Sequence, residues 1–406
     1  MCVCLMCRCV LSAEPLPWCF SPAAPLRITG RWEPAGAAPR AARVEAERFH
    51  AVVARFAAGS SAARASWDKD AARVCAAAPP FGQLWSPTNC RLRSTRALGR
   101  ERAFANRSVL LVGDSLVDQL RRLLAAVNDA EALGLTIRHA SMGLLPDAKG
   151  RWRAELAAEL ARADAAFVGV GAHYNLRPAC ERGGARGRAR DDAQQCAAAA
   201  ARSRLAAGTN LPHHFRADLE GLVRAVAAAG GAGGNASRVA WRESPPQHYD
   251  GGVYTERASA ARACGALTSA AARGAARWRE DLVAPIAARA FRVLPAHELA
   301  VPRADSHPPL DGRGERPCAP ARRARRRAGR ARGARERCDC THYCLDSAVS
   351  AAGVSLALNL LADIFRAHAL VPPPPDSANA DCAAGHGVTF ACRRGYKNAV
   401  DITRRR

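Results

Sequence analysis

Val109-Leu110-Leu111-Val112-Gly113-Asp114-Ser115-Leu116 is the stretch of the chain from which the fold can be worked out. Its four consecutive apolar residues, two of them β-branched, indicate a strand buried on both faces of a parallel sheet. Gly113 and Asp114 then break the strand. From Leu116 onward, apolar residues recur at positions 116, 117, 120, 123, 124 and 127, which is the spacing of one helix face. The sequence therefore predicts a strand, a tight turn and a helix.

Ser115 ends this predicted turn. Its hydroxyl would lie at the carboxyl edge of the sheet and at a helix N-terminus, where unpaired N–H groups and the helix dipole favour negative charge. An α/β enzyme keeps a nucleophile in such a place, so Ser115 is a candidate nucleophile. The alternative is that Gly-Asp-Ser is ordinary turn chemistry, and the motif alone does not decide between the two.

The rest of the chain repeats the alternation of strand and helix, which predicts βαβ units and a parallel sheet with helices on both faces. Strands are predicted over 135–140, 165–170, 238–241 and 291–294, and helices over 41–58, 151–162, 197–206, 215–229, 270–290 (with a break at Pro285) and 348–368. In such folds, ligands bind beyond the carboxyl ends of the strands. The polar or glycine residues that follow strands are Gly143, His173, Asn175, Arg242, Asp305 and His307.

The net charge of +24 invites a nucleic-acid interpretation, but only three of the 60 basic residues are lysines. Phosphate binding gives no reason to exclude lysine, whereas a GC-rich genome favours arginine and alanine codons. Arginines are most frequent over residues 313–337, a run without apolar periodicity that predicts a solvated, disordered insertion. Binding of an acidic polymer is the alternative for this run.

Sixteen cysteines are many for a cytosolic enzyme, and they do not form the paired Cys-x-x-Cys motifs of a structural zinc site. Together with two Asn-x-Ser sequons, at 106–108 and 235–237, they favour disulfides in an oxidising, secretory compartment. The N-terminal residues 1–20 are apolar but interrupted by Arg8, Glu14 and prolines. This segment has neither the layout of a signal peptide nor the length of a membrane span.

A nucleophilic serine needs a base within hydrogen-bond reach and a carboxylate that orients the base. Asp339-Cys340-Thr341-His342 can supply both from one short loop, since an Asp and a His three residues apart on a turn can face the same side. The alternative for this stretch is a turn with an exposed histidine. His307, in Asp305-Ser306-His307, and His173 are the competing candidates for the base.

Six stretches in order resemble the PC-esterase or trichome-birefringence-like proteins, the plant wall-polysaccharide O-acetyltransferases with an SGNH (GDSL) hydrolase fold. The resemblance covers roughly residues 75–370, and Leu116-Val117-Asp118-Gln119 departs from the family's usual Leu-Ser-Arg-Asn. The stretches are Trp85 to Cys90, Gly113-Asp114-Ser115-Leu116, Phe167 to Tyr174, Ser244 to Tyr249, Arg303-Ala304-Asp305-Ser306-His307-Pro308 and Asp339-Cys340-Thr341-His342-Tyr343-Cys344.

The resemblance implies a three-layer, flavodoxin-like α/β domain with Ser115, Asp339 and His342 as the catalytic triad. Further site residues expected from their positions, for the oxyanion or the substrate, are Gly143, His173, Asn175, Arg242 and His307. The implied reaction passes an acetyl group from a donor, acetyl-CoA or another, through an acyl-enzyme to a polysaccharide or glycan hydroxyl. No metal, bound cofactor or nucleic acid is expected to take part.

The resemblance also implies a place in the secretory pathway, in the Golgi, with membrane association through an anchor that this chain does not display. The expected organisation is an N-terminal segment over 1–70, partly disordered and without evident chemistry, the domain over 75–370, and a tail over 371–406. The main alternative function is a carbohydrate acetyl-esterase with the same triad, because the sequence does not say whether water or a sugar accepts the acyl group. A non-catalytic glycan-binding relative is the remote alternative.

Overall fold

The computed structural model describes residues 16–21, 28–58, 82–141, 152–170, 211–229, 237–249, 252, 264–308 and 338–369. The predicted helix over 197–206, the arginine-rich insertion over 313–337 and the tail over 371–406 lie outside these residues.

The elements follow one another in the predicted alternation. They are β1 (Gly30–Pro34), α1 (Arg40–Ala58), β2 (Gln83–Pro87), α2 (Thr95–Arg100), β3 (Ser108–Gly113), α3 (Ser115–Ala130), β4 (Thr136–Ser141), α4 (Trp152–Ala161), β5 (Ala165–Gly169), α5 (Leu211–Ala228), β6 (Val239–Arg242), α6 (Ala270–Ala290), β7 (Arg292–Leu294), α7 (His297–Ala300), a 3₁₀ turn (Ala304–Ser306) and α8 (Ala348–Ala369).

Five of the strands form one parallel sheet in the order β4-β3-β5-β6-β7. When these five strands are numbered by their order along the chain, the sheet order is 2-1-3-4-5, which is the flavodoxin-like order of a doubly wound fold. The predicted fold class, a three-layer α/β fold, is confirmed. Its first strand is β3, the stretch that ends at Gly113.

Strand β3 is buried on both faces, as its continuous apolar run predicts. Val109 and Leu111 contact the layer of α1, α3 and α8, whereas Leu110 and Val112 contact the layer of α4, α5 and α6. Successive side chains of a strand point to opposite faces, so four adjacent apolar residues contribute to both cores. Burial on both faces therefore fixes the strand whose carboxyl end leads directly to Ser115.

Helix α6 corrects one expectation, because it continues through Pro285 where a break was predicted. Proline removes one main-chain N–H and usually kinks or ends a helix. Val283, Ala287 and Ala290, on either side of Pro285, are buried in the same core layer. Packing of both halves against the sheet therefore holds the helix together.

Part of the N-terminal segment also differs from expectation. Helix α1 packs into the core through Phe49, Val52 and Val53. Strand β1 pairs antiparallel with β2 in a second small sheet, and a disulfide joins Cys19 to Cys90. Residues 28–58 therefore belong to the domain, although alanine and arginine dominate α1 and hide its apolar face.

Helix α8 is the one described helix that is long and apolar enough to cross a membrane, over Ala348–His368. Most of its apolar window is buried inside the fold. It packs against α3, α2 and α1 and contributes Leu356, Leu360 and Leu361 to the core. These contacts are those of a core helix in a three-layer fold.

The close packing of β3, β5 and α3 at Gly113 can be tested by substitution. A Cβ at this position would overlap the main-chain oxygen of Gly169 and lie 2.5 Å from Val117 Cγ2. We expect Gly113→Ala to lower the free energy of unfolding by about 3 kcal/mol, since backbone must move to relieve the overlap. Urea unfolding measures this. The control is Gly353→Ala, in helix α8, where a Cβ would have open space around it; this substitution should be neutral or stabilising. A Gly113→Ala variant as stable as the parent would contradict the close packing at Gly113.

Candidate active site

The candidate site lies where the strand order of the sheet reverses. Strand β3 pairs with β4 on one side and with β5 on the other. The chain runs from β3 to β4 on one side and from β5 to β6 on the other, so the connections that leave β3 and β5 diverge and open a crevice at the carboxyl edge. Ser115 follows β3 directly, so its hydroxyl is at this edge, as the sequence predicts.

Asp114 and Ser115 form the start of helix α3. The buried Asp114 is the N-cap residue, and its Oδ1 accepts a hydrogen bond from the Leu116 N–H at 3.0 Å. This explains the acidic residue before the serine, because its carboxylate accepts a hydrogen bond from a main-chain N–H that has no acceptor within the helix. Ser115 is exposed at the first helical position. Its hydroxyl can therefore reach a ligand, and its own N–H has no partner within the helix.

Ser115, His342 and Asp339 form one chain of hydrogen bonds. His342 Nε2 lies 2.7 Å from Ser115 Oγ, and His342 Nδ1 lies 2.7 Å from Asp339 Oδ2. A carboxylate can only accept, so Nδ1 carries the hydrogen and Nε2 is free to take a proton from the serine. The predicted proximity of the three side chains is present, and His307, the competing candidate among the described residues, does not occupy the place of His342.

The loop around Asp339 stabilises the carboxylate form of its side chain. Asp339 Oδ1 accepts hydrogen bonds from the main-chain N–H groups of Thr341 and His342, at 3.1 and 3.2 Å. Burial favours the neutral acid, but these bonds and the His342 ring hold the pKa of Asp339 well below its ordinary value. The side chain is therefore ionised at neutral pH and can balance a positive charge on His342.

Gln119 is a site residue that sequence reasoning missed. It lies one helical turn after Ser115, on the same face of α3. Its Nε2 donates to the main-chain oxygen of Tyr343 at 2.9 Å, and its Oε1 accepts from the Tyr343 N–H at 3.5 Å. The helix that carries the serine thus also holds the residue next to the histidine. A glutamine at position i+4 gives no signal of such a contact.

Two further loops hold the segment 338–344. The Asp339 N–H donates to the Pro308 oxygen at 3.0 Å and the Cys344 N–H to the Ser306 oxygen at 2.7 Å, which joins it to the loop after α7. The His248 N–H donates to the Cys340 oxygen at 3.0 Å, which joins it to the loop after β6. Three of the stretches that carry the family resemblance therefore meet at one edge of the sheet.

Disulfide bonds add to these contacts. Cys340 is bonded to Cys264, and Cys338 and Cys344 are disulfide-bonded as well. Disulfides persist in oxidising compartments, so these bonds and Cys19–Cys90 suggest a secretory-type environment. They agree with the expectation from the cysteine content, and they fix the loop that carries Asp339 and His342.

Arg242 lies among charged groups behind the serine turn. Burial lowers the pKa of its guanidinium, while the negative charge of Asp114 favours its charged form. Glu280 is itself buried and accepts from the Ser244 N–H at 2.9 Å; burial and the neighbouring Glu243 raise its pKa. Arg242 therefore sits beside the turn, and its predicted contact with substrate stays a prediction.

The other predicted site residues divide into two groups. Gly143, His173 and Asn175 lie outside the described residues. His307 is described, and the structure corrects the expectation for it: its side chain is fully buried, with both ring nitrogens against protein groups. His307 therefore does not line the surface on which Ser115 is exposed, and a substrate-binding role does not fit it.

Two other kinds of site, a metal centre and a cavity, were considered within the described part of the chain. No group of three His, Cys, Asp or Glu side chains there could hold a metal ion. A cavity of about 480 Å³ lies between α1, β2 and α8, lined by residues such as Phe49, Val52 and Leu84. Ser115, Asp339 and His342 do not line it, so its shape says nothing about their substrate.

No family model matches this chain, and no curated protein is significantly similar to it. The interpretation of the site therefore depends on the residues and on their geometry.

Buried titratable groups near the site predict how stability depends on pH. Burial lowers the pKa of His248 and His297 to about 4 and that of His307 to about 3, from 6.5. As pH falls below 6.5, the unfolded chain binds protons at these histidines and the native protein does not, so stability falls. Each net proton changes the free energy of unfolding by about 1.4 kcal/mol per pH unit.

Glu280 acts in the opposite direction. Its raised pKa keeps it protonated in the native protein where the unfolded carboxyl is ionised, so its effect is a loss of stability as pH rises above 4.5. Below pH 6.5 the three histidines change the free energy of unfolding more than Glu280 does. Above pH 6.5 the histidines are neutral in both states, and the effect of Glu280 remains. We expect maximal stability near pH 6.5 in urea unfolding at several pH values. Glu280→Gln should flatten the decline above pH 6.5 and steepen the rise between pH 4.5 and 6.5, and a parent that is most stable at pH 5 would contradict these shifts.

Proposed function

We propose that this protein is a serine-dependent O-acetyltransferase that acts on a polysaccharide or glycan hydroxyl through an acyl-enzyme. The observation that carries the proposal is the hydrogen-bonded chain from Ser115 Oγ through His342 to Asp339, with 2.7 Å at each step. An exposed serine at the carboxyl edge of a parallel sheet, joined to a base and a buried carboxylate, is the constellation of nucleophilic acyl transfer.

The first half of the proposed reaction forms the acyl-enzyme. Ser115 Oγ attacks the carbonyl carbon of an acetyl donor while its proton moves to His342 Nε2. The carbon–oxygen or carbon–sulfur bond to the leaving group then breaks, and the leaving group takes the proton from His342. Asp339 stabilises the imidazolium between these transfers, because its carboxylate is already ionised and hydrogen-bonded to Nδ1.

The second half releases the product. A sugar hydroxyl gives its proton to His342 and attacks the acetyl group on Ser115, and Ser115 regains the proton as it leaves. Main-chain donors stabilise the oxyanion in both halves, each worth about 3 kcal/mol in reactions of this kind. The Ser115 N–H at the start of α3 suits this role, and Gly143 and Asn175 remain the further candidates from the sequence.

The resemblance to the trichome-birefringence-like proteins supports the choice of substrate class. Its stretches at 244–249, 303–308 and 339–344 lie in contact through main-chain hydrogen bonds at the site. We propose membership of this family on those residues. The disulfides suggest an oxidising compartment, and the Golgi, where glycans are modified, is the location that this function implies.

The second candidate is a carbohydrate acetyl-esterase with the same triad. Ser115 is exposed, so water as well as a sugar hydroxyl can approach an acyl group bound to it. In this reaction water gives a proton to His342 and attacks the acetyl carbon, the bond to Ser115 Oγ breaks, Ser115 regains the proton from His342, and acetic acid is released.

One experiment tests the proposal and separates these reactions. Purified protein is incubated with acetyl-CoA or an aryl acetate, with and without plant and bacterial wall polysaccharides, and both acetate release and glycan acetylation are measured. A transferase acetylates the glycan, and acetate release falls as the glycan is added. Acetate release that no glycan changes would favour the esterase. Neither product, together with no labelling of Ser115 by a fluorophosphonate, would overturn both.

A further inference from the structure

Behind the site, a buried pair of histidines connects the main chain of His342 to the loop after α7. His307 Nδ1 lies 2.5 Å from the main-chain oxygen of His342. On the other side of the ring, His307 Nε2 lies 2.7 Å from His248 Nδ1, and His248 Nε2 lies 2.9 Å from the Val301 oxygen. Both side chains are completely buried. The proposed mechanism uses neither of them.

Counting hydrogens restricts how this pair can be protonated. Both main-chain oxygens can only accept, so the three contacts need three N–H groups, whereas two neutral imidazoles carry two. The two shortest contacts are those on His307. They are satisfied when Nδ1 of His307 carries its hydrogen and Nδ1 of His248 donates to Nε2 of His307. The third contact, at the Val301 oxygen, then has no hydrogen while the pair is neutral.

The surroundings keep the pair neutral at the pH of most assays. Burial lowers the pKa of both rings, and only the Val301 and His342 oxygens and the Asp305 and Asp339 carboxylates favour their charged forms. The Tyr343 hydroxyl, 3.4 Å from His248 Nδ1, gives its hydrogen to the Pro246 oxygen at 2.7 Å. It therefore does not change the count of hydrogens between the two rings.

We propose that His307, held in its Nδ1–H form by His248, is a positioning residue for the base His342. This inference rests on the proposed function, in which His342 accepts the proton of Ser115. The His307 N–H holds the main-chain oxygen of the residue whose ring must lie in line between Asp339 and Ser115. A ring displaced by about 1 Å costs a reaction of this kind on the order of 100-fold in rate.

Two substitutions separate the two nitrogens of His307. In His307→Asn the side-chain amide takes the place of Nδ1, so a donor to the His342 oxygen remains. In His307→Gln the amide takes the place of Nε2, so the contact with His248 remains and the donor to the His342 oxygen is lost. Both variants remove the ring, so a general packing defect affects both.

The readout is the rate at which a fluorophosphonate labels Ser115, together with kcat and KM for an aryl acetate. We expect His307→Gln to lower the labelling rate and kcat by about 100-fold with KM nearly unchanged, and His307→Asn to stay within about fivefold of the parent. Thermal unfolding of both variants controls for folding. Equal losses in the two variants, or a loss in KM alone, would overturn the proposal.

A spectroscopic measurement on the parent keeps the proposal testable if both variants unfold. Nitrogen-15 NMR of the histidine side chains at pH 7 reports which ring nitrogen carries the hydrogen. We expect His307 in the Nδ1–H form, which is the less common form of a free imidazole in water, and an Nε2–H form would overturn the proposal. The readouts also separate this inference from the proposed function. If no glycan is acetylated but labelling of Ser115 still depends on the Nδ1 donor, the transferase is wrong and the positioning role holds.

Discussion

Ser115→Ala is expected to lower kcat for acyl transfer or ester hydrolysis by about 10⁴-fold or more, while the protein stays folded. The substitution removes the one atom that can carry the acyl group in the proposed mechanism. Ser115 is exposed, alanine is favourable in a helix, and the N-cap bond from Asp114 to the Leu116 N–H remains. The loss should therefore fall on the chemical step, with thermal stability close to that of the parent.

Labelling by a fluorophosphonate followed by mass spectrometry identifies the modified residue. The parent should carry the label on Ser115, and Ser115→Ala should carry none. Ser269→Ala is a matched control, since Ser269 also begins a helix, as the N-cap of α6. It should lose about 1 kcal/mol of stability and no activity. If Ser115→Ala kept most of the activity, Ser115 would be a turn residue and the acyl-enzyme mechanism would be wrong.

Asp339→Asn is expected to lower kcat by about 10⁴-fold, through the tautomer of His342. The N–H groups of Thr341 and His342 both point at Oδ1 of residue 339. In the variant they select the amide oxygen for that place, so the NH₂ group faces His342 Nδ1. Nδ1 must then accept, and the ring hydrogen moves to Nε2, where it prevents uptake of the proton from Ser115.

The control for this prediction is Asp305→Asn. Asp305 also precedes a histidine, but it is half exposed and its carboxylate pairs with Arg303 at 2.8 Å. This variant should keep kcat within about threefold, because its carboxylate contacts neither ring nitrogen of His342. Steady-state kinetics with an aryl acetate compares the two variants, and nitrogen-15 NMR detects the tautomer of His342. A His342 hydrogen that stays on Nδ1 in Asp339→Asn would contradict the explanation.

The central part of the fold was predictable because its signals are local. The apolar run of β3 and the helical spacing after Leu116 gave elements within a residue or two of β3 and α3. The proximity of Ser115, His342 and Asp339 was predictable for another reason. Each turn alone is ambiguous, but the ordered family resemblance selects these three residues, and a parallel sheet brings such turns to one edge.

The parts that were missed depend on contacts between distant residues. Helix α1 has little apolar surface, and its place in the core depends on helices α3 and α8. The role of Gln119 depends on Tyr343, and the burial of His307 depends on His248, which lies 59 residues earlier. Single-sequence patterns carry no information on such pairs, so Gln119 was passed over and His307, a polar residue after a strand, was interpreted as part of the site.

The main-chain hydrogen bond between Asp339 and Pro308 allows the sequence between them to vary in length. The Asp339 N–H donates to the oxygen of Pro308, so the chain leaves the site and returns to it at nearly the same point. The distance that an insertion must span is therefore fixed by the domain, and its length adds only a small closure entropy. Sequence between Pro308 and the disulfide-bonded Cys338 can lengthen, shorten or drift in composition during evolution without moving Asp339 or His342. The same junction is the natural place to insert an affinity tag or a fluorescent domain into the protein.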